Sequence, residues 1–97
     1  MNPKPILHDR NVVSLLLTLY KEKEFASTRM AYIGSYRSVK ESATKLKDAG
    51  LIESTVCEER LRVVWKLTDD GMRIAKMLTQ CEKSLEEFID PEKYYKQ

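Results

Sequence analysis

GSYRSVKESATKLKDAGLI, residues 34–52, encodes one short amphipathic helix together with both of its ends. Val39, Ala43 and Leu46 fall at i, i+4 and i+7, a narrow apolar stripe that faces a core. Ser35 or Ser38 supplies the N-cap, and the second choice places Glu41 three residues on, as a capping box requires. Gly50 stands where a glycine ends a helix, and Leu51-Ile52 opens an extended run. Opposite the stripe lie Tyr36, Arg37, Lys40, Thr44, Lys45 and Lys47, a face suited to an anionic partner.

Toward the N-terminus, Asp9 can cap a helix carrying Val12, Val13, Leu16, Leu19 and Tyr20 at helical spacing. A charged turn, Lys21-Glu22-Lys23-Glu24, and Phe25 follow it. Ser27 then caps a second, shorter helix that turns Met30 and Ile33 inward, and Gly34 leads into the third. Two helices joined by a tight glycine-containing turn make the helix-turn-helix pattern.

Beyond Gly50 the period changes from helical to alternating. Ile52, Ser54 and Val56 alternate with Glu53, Thr55 and Cys57, and after the tip Glu58-Glu59-Arg60 the residues Val63, Trp65 and Leu67 share one face. These are two strands of a β-hairpin. Thr68 caps a last helix with Asp69 and Asp70 in its first turn, where negative charge suits the helix dipole. Asp90-Pro91 disfavours its continuation, so it spans about 20 residues and roughly 30 Å.

That helix carries a heptad seam. Ile74, Leu78, Cys81, Leu85 and Phe88 are spaced 4, 3, 4 and 3, with Met77 and Ile89 widening the stripe. Met72 and Ile74 to Leu78 can pack back on the first helix, whereas the part from Cys81 to Phe88 outruns so small a core. The expectation is a homodimer, as an antiparallel pair or a small bundle with the first helix, rather than a monomer whose helix folds back along its own domain. Cys81 on the seam is then a buried small hydrophobe in a reducing compartment, against the alternative of an intermolecular disulfide or redox sensor.

Composition narrows the classes. A chain of 97 residues with 42% hydrophobic residues suits one compact domain plus one protruding element. Net charge is only +2, but residues 29–47 hold five bases against one acid, while residues 82–97 hold three bases against five acids. Cys57 and Cys81 lack CxxC spacing and a neighbouring histidine, which argues against a zinc site, and His8 stands alone near the N-terminus. No segment approaches transmembrane length, and the start, Met1-Asn2-Pro3-Lys4-Pro5, precedes too short an apolar run for a signal peptide, so a cytoplasmic location without membrane attachment is expected. An enzyme is not expected: there is no paired His/carboxylate or Cys/His set, no phosphate-cradling loop and only three glycines, and no cofactor is implied.

The order helix, helix, turn, helix, hairpin, helix resembles the winged helix-turn-helix domain, over residues 9–88. Ser35-Tyr36-Arg37-Ser38-Val39 through Leu46-Lys47-Asp48-Ala49-Gly50-Leu51-Ile52 looks like the family's recognition helix and its L-x-x-A-G-L-I exit. Trp65-Lys66-Leu67-Thr68-Asp69-Asp70-Gly71 looks like the Y-x-L-T-x-x-G segment that joins wing to helix. Such pairs recur in MarR-like and ArsR-like regulators and in small archaeal winged-helix proteins with a C-terminal dimerisation helix. The resemblance implies a mostly α fold with a small β-hairpin: a three-helix core plus wing and a long C-terminal helix. The divisions are a leader (1–8), a DNA-binding domain (9–68), a dimerisation helix (69–90) and a tail (91–97). Three departures stand out. The wing tip is acidic at Glu58 and Glu59, residue 43 is Ala where the family often has Leu, and the cysteine and histidine clusters of ArsR-type metal sites are absent from the sequence.

The resemblance further implies that the third helix enters the major groove of double-stranded DNA. Tyr36, Arg37 and Lys40 then face the groove, with Arg37 able to read guanine, and Ser38, Ser42 and Thr44 reach bases or phosphates. Lys45, Lys47 and Arg29 suit phosphates beside that helix, and Arg60 and Arg62 suit them from the wing. Dimerisation falls to Ile74, Met77, Leu78, Cys81, Leu85, Phe88 and Ile89. A sequence-specific transcriptional regulator is the leading expectation, with a low-specificity chromatin architectural protein and a protein-interaction module as the other two. No residue pattern names an effector.

Overall fold

A computed structural model describes residues 5–59, 62–89 and 92. Its centre is the helix encoded by residues 36–48, α2 (Tyr36–Asp48), which buries Val39, Ser42, Ala43 and Leu46. Ser35 is the N-cap, its Oγ accepting from the Ser38 amide at 3.5 Å. Glu41 therefore lies mid-helix and closes no capping box. At the other end Gly50 N donates to Lys47 O at 3.0 Å and Leu51 N to Leu46 O at 2.9 Å, the paired bonds of a Schellman motif. Gly50 takes φ 79°, a left-handed conformation in which a Cβ is strained.

α1 (Arg10–Glu22) is capped by Asp9, whose side chain accepts from Asn11 N at 3.0 Å. It buries Val12, Leu15, Leu16 and Leu19; Val13 and Tyr20 are half-buried at the margins of that face. The chain then turns through Lys23 at φ 71° and forms β1 (Glu24–Ala26), where the sequence suggests only a charged turn. The second helix of the motif is a 3-10 helix, Ser27–Tyr32, with Ala26 rather than Ser27 at its cap position. Ser27 Oγ instead accepts from Trp65 Nε1 at 2.6 Å. Met30 is fully buried, and Ile33 packs against the core from its edge.

β2 (Ile52–Cys57) and β3 (Arg62–Leu67) form the expected antiparallel hairpin, with Ile52 opposite Leu67 and Cys57 opposite Arg62. β1 adds to the far side of β3, giving a three-stranded sheet in the order β1-β3-β2 rather than a lone hairpin. Trp65 sits at its middle, paired with Phe25 on one side and Ser54 on the other. Ile52, Trp65 and Leu67 turn inward onto the helices, whereas Val56, farther out along the wing, is exposed.

α3 (Asp69–Phe88) is capped by Thr68, whose Oγ1 accepts from Gly71 N at 3.1 Å and donates to Gly50 O at 2.7 Å. The two signature stretches of the sequence therefore touch: the exit of α2 docks on the entrance of α3. Gly71 is needed there, since a Cβ would overlap the Leu51 carbonyl oxygen. The helix packs chiefly on α1, burying Gly71 and Ala75 with Ile74 and Leu78 half-buried against the same core. Its first turns thus belong to the domain that precedes it, whereas Met72, which the sequence turns toward the first helix, is exposed. From Gln80 to Ile89 every residue is exposed. No helix among the described residues is long and apolar enough to cross a membrane.

Candidate nucleic-acid interface

α2 is held to the core along one face, and the opposite face is exposed. Tyr36, Arg37, Lys40, Glu41 and Thr44 line a shallow groove along it. Lys40 Nζ lies 6.0 Å from the centroid of the Tyr36 ring, within cation–π range. Arg37 Nε lies 3.7 Å from Glu41 Oε1, both side chains being largely in solvent. Thr44 Oγ1 donates to Lys40 O at 2.9 Å, which occupies its hydrogen. Ser38 is exposed at the N-terminal end of the same helix.

Two flanking lysines are tethered. Lys47 Nζ donates to Ser54 Oγ at 3.0 Å, tying α2 to the wing, and Lys45 Nζ lies 3.7 Å from Asp9 Oδ2. Both remain exposed, so these contacts orient the ammonium groups without removing them from solvent. Arg29 is engaged more fully, with both terminal nitrogens 3.0 Å from the two carboxylate oxygens of Glu22. It pins the 3-10 helix to the end of α1, so a phosphate would have to displace Glu22.

Ser42 is corrected. It is 3% exposed, and its Oγ donates to Asp9 Oδ2 at 2.7 Å, so it is a buried strut and not a DNA contact. Its position three residues after Val39 and four before Leu46 is the signal that places it on the inner face. Asp9 caps α1 as its sequence suggests, but its ties to Ser42 and Lys45 cross between helices and carry no local sequence signal. Burial raises its carboxyl pKa, but the Ser42 hydroxyl, the Asn11 amide, the Lys45 charge and the Val12 amide together hold it below the ordinary aspartate value. On the wing, Arg62 is half-buried, its Nε shielded and without a hydrogen-bond partner among the described residues. Arg60 lies outside the described residues, and Glu58 and Glu59 are exposed.

The heptad seam divides. Ile74 and Leu78 are half-buried against the domain's own core, whereas Met77, Leu85, Phe88 and Ile89 are exposed, Phe88 to 88%. Met77, Gln80, Cys81, Ser84, Leu85 and Phe88 line a shallow apolar groove along the outer half of α3. Cys57 and Cys81 are both free thiols, and no cluster of three metal-ligating side chains occurs among the described residues.

Three helices, a hairpin wing docked beside the third, and a long trailing helix define a winged helix-turn-helix domain. Solved structures bear this out. A double mutant of ZitR from Lactococcus lactis, in its apo form, is 25% identical and superposes with a TM-score of 0.70 over 81% of this chain and 62% of that one. FabT from Streptococcus pneumoniae, solved in complex with DNA, is 20% identical with a TM-score of 0.69, over 78% of this chain and 55% of FabT. The transcriptional regulator homologue from Pyrococcus horikoshii is 20% identical with a TM-score of 0.69, over 88% of each chain. The chain thus spans less than two thirds of the ZitR and FabT chains and most of the archaeal one. No protein-family model and no curated protein sequence matches it. The likeness is one of fold, in the form shared with MarR-like regulators.

Proposed function

We propose that this protein is a transcriptional regulator that binds double-stranded DNA as a homodimer, with α2 in the major groove, without catalytic activity, in the cytoplasm. The observation that carries this reading is α2 itself: one face locked into the core, the other presenting Tyr36, Arg37 and Lys40 to solvent. Residues near the start of such a helix meet base edges while flanking lysines meet phosphates. Ser38 and Thr44 lie within reach of the same groove, and Lys45 and Lys47 flank it. FabT, a structural neighbour, was solved with DNA, which supports the same use here. The dimer reading rests on the apolar outer half of α3, which leaves Cys81, Leu85 and Phe88 uncovered. A two-fold pair would present α2 twice to a pseudo-palindromic site.

A second reading, a winged helix used to bind protein, is favoured by the exposed acidic pair Glu58 and Glu59 at the wing tip. Binding of random and genomic duplex DNA at rising salt separates the two. Each phosphate contact adds roughly −0.9 to the log–log slope. Affinity that does not fall steeply with salt removes the DNA reading. Arg37→Ala should weaken binding and relax sequence preference; unchanged binding removes Arg37 from the recognition role. A chromatin architectural protein would show the salt slope without the preference.

A further inference from the structure

Arg37, Glu41 and Thr44 point directly away from the buried stripe of α2, as a turn of 3.6 residues requires, with Lys40 on one side and Lys45 on the other. Glu41 is the single acid between residues 35 and 47, and its side chain is 67% exposed at the centre of this basic face. A surface made only to hold phosphate gains nothing from a carboxylate there, because it repels the DNA backbone. The exposed ion pair with Arg37, 3.7 Å long, offers small recompense as helix stabilisation.

Base edges give the carboxylate a partner. An ionised Glu only accepts hydrogen bonds, and in the major groove cytosine offers its N4 amino group with no acceptor of its own beside it. Adenine sets N7 next to its N6 amino group, while guanine and thymine offer only acceptors, so cytosine is the best match. Arg37, which only donates, matches guanine O6 and N7. The two side chains lie one turn apart on the same ridge, about 6 Å of helix rise, close to two base-pair steps.

We propose that Glu41 is a specificity-determining residue, accepting from the N4 amino group of a cytosine near the guanine read by Arg37. The inference rests on the DNA-binding reading above. In the free protein Arg37 and Glu41 form a loose pair in solvent; on a matched site each takes a base as its partner. On a mismatched site Glu41 keeps hold of Arg37 and repels the backbone, so its charge lowers affinity wherever the amino group is missing.

The test presents wild type, Glu41→Gln and Glu41→Ala to a random-sequence duplex library, and measures their affinity for a single non-specific duplex across salt. Wild type should enrich sites with a cytosine within about two base pairs of a required guanine. Both variants should bind the non-specific duplex several-fold more tightly. Glu41→Ala should lose the cytosine preference, worth about tenfold or more, and Glu41→Gln should shift it toward adenine. The side chain is exposed, so both variants keep the fold, which circular dichroism checks. Variants that enrich the same sites with unchanged non-specific affinity overturn the proposal. So does a wild type that binds duplex with a steep salt slope yet enriches no sequence, which leaves DNA binding standing. A wild type that binds no duplex removes the DNA-binding reading and this inference with it.

Discussion

Ser42, in the middle of α2, donates its hydroxyl to Oδ2 of Asp9 at 2.7 Å, and Asp9 Oδ1 accepts from Asn11 N at 3.0 Å to cap α1. One carboxylate thus fixes the start of one helix and the roll of another. The roll decides which residues of α2 face outward, and Lys45, 3.7 Å from the same Oδ2, is drawn to one flank of that face. Because α1 also carries α3, the contact joins the proposed DNA-reading helix to the scaffold from which the proposed dimer arm departs.

Ser42→Ala should cost about 1–2 kcal/mol, as expected for a partly buried hydrogen bond to a charged group. Asp9→Ala should cost about 2–3 kcal/mol, because it removes the cap and leaves the Ser42 hydroxyl without an acceptor. Urea unfolding of both singles and the double should give a coupling of about 1 kcal/mol. Additive effects would mean that the two side chains act independently.

The same carboxylate sets an acid dependence. Against the upward push of burial, the Ser42, Asn11, Lys45 and Val12 contacts hold the folded-state pKa below its unfolded value. A depressed carboxyl pKa contributes stability that is present above the unfolded value, about 3.9, and is lost as pH falls through the folded one. Asp9→Asn keeps a capping oxygen but cannot titrate. Its deficit against wild type, read from urea midpoints, should be constant from about pH 5 to 7 and shrink below about pH 4. A deficit that stays flat down to pH 2 would remove Asp9 as the source.

Gly50 and Gly71 flank one contact for different reasons, and alanine should separate them. Gly50 has φ 79° with open space around its Cβ position, so Gly50→Ala should cost about 1–2 kcal/mol from backbone strain alone. At Gly71 the added methyl overlaps the Leu51 carbonyl oxygen, which itself accepts from Thr68 N at 3.0 Å. Relief requires α3 to withdraw from the exit of α2, so Gly71→Ala should cost about 3 kcal/mol or more. Thermal unfolding in parallel checks the order; equal losses would contradict the close docking.

What could be read from sequence divides along the range of the interactions involved. The caps at Asp9 and Thr68, the glycine at residue 50 and the alternation of residues 62–67 are local, and each is expressed within a few residues. β1 is three residues long, too short to alternate, and exists because β3 offers it an edge. Met30 and Ile33 are three apart, a spacing that fits a 3-10 turn as well as an α-helix, so the pattern does not separate them. Ser42 misleads for another reason. Its hydroxyl chemistry suits DNA, but its place in the helical period suits the core, and the period prevails. Along α3 the heptad spacing runs unbroken past the point where the core ends after Leu78, a boundary set by the size of the domain and not by any local signal.

That boundary supplies the last prediction. Ile74, Ala75 and Leu78 of α3 pack into the core of one chain, so the fold should survive without whatever covers the other half. Leu85→Glu with Phe88→Glu, both at exposed positions, should therefore leave a folded protein while placing charge in the middle of the apolar groove. By sedimentation equilibrium wild type should have twice the mass of one chain and the double variant the mass of one. The wild-type melting temperature should rise with protein concentration and that of the variant should not, since association stabilises by mass action. DNA affinity should fall in the variant to that of a single half-site, with each chain still showing the discrimination of its own α2. A wild type that sediments as one chain, with a concentration-independent melting temperature, would end the dimer reading and with it the expectation of a palindromic site.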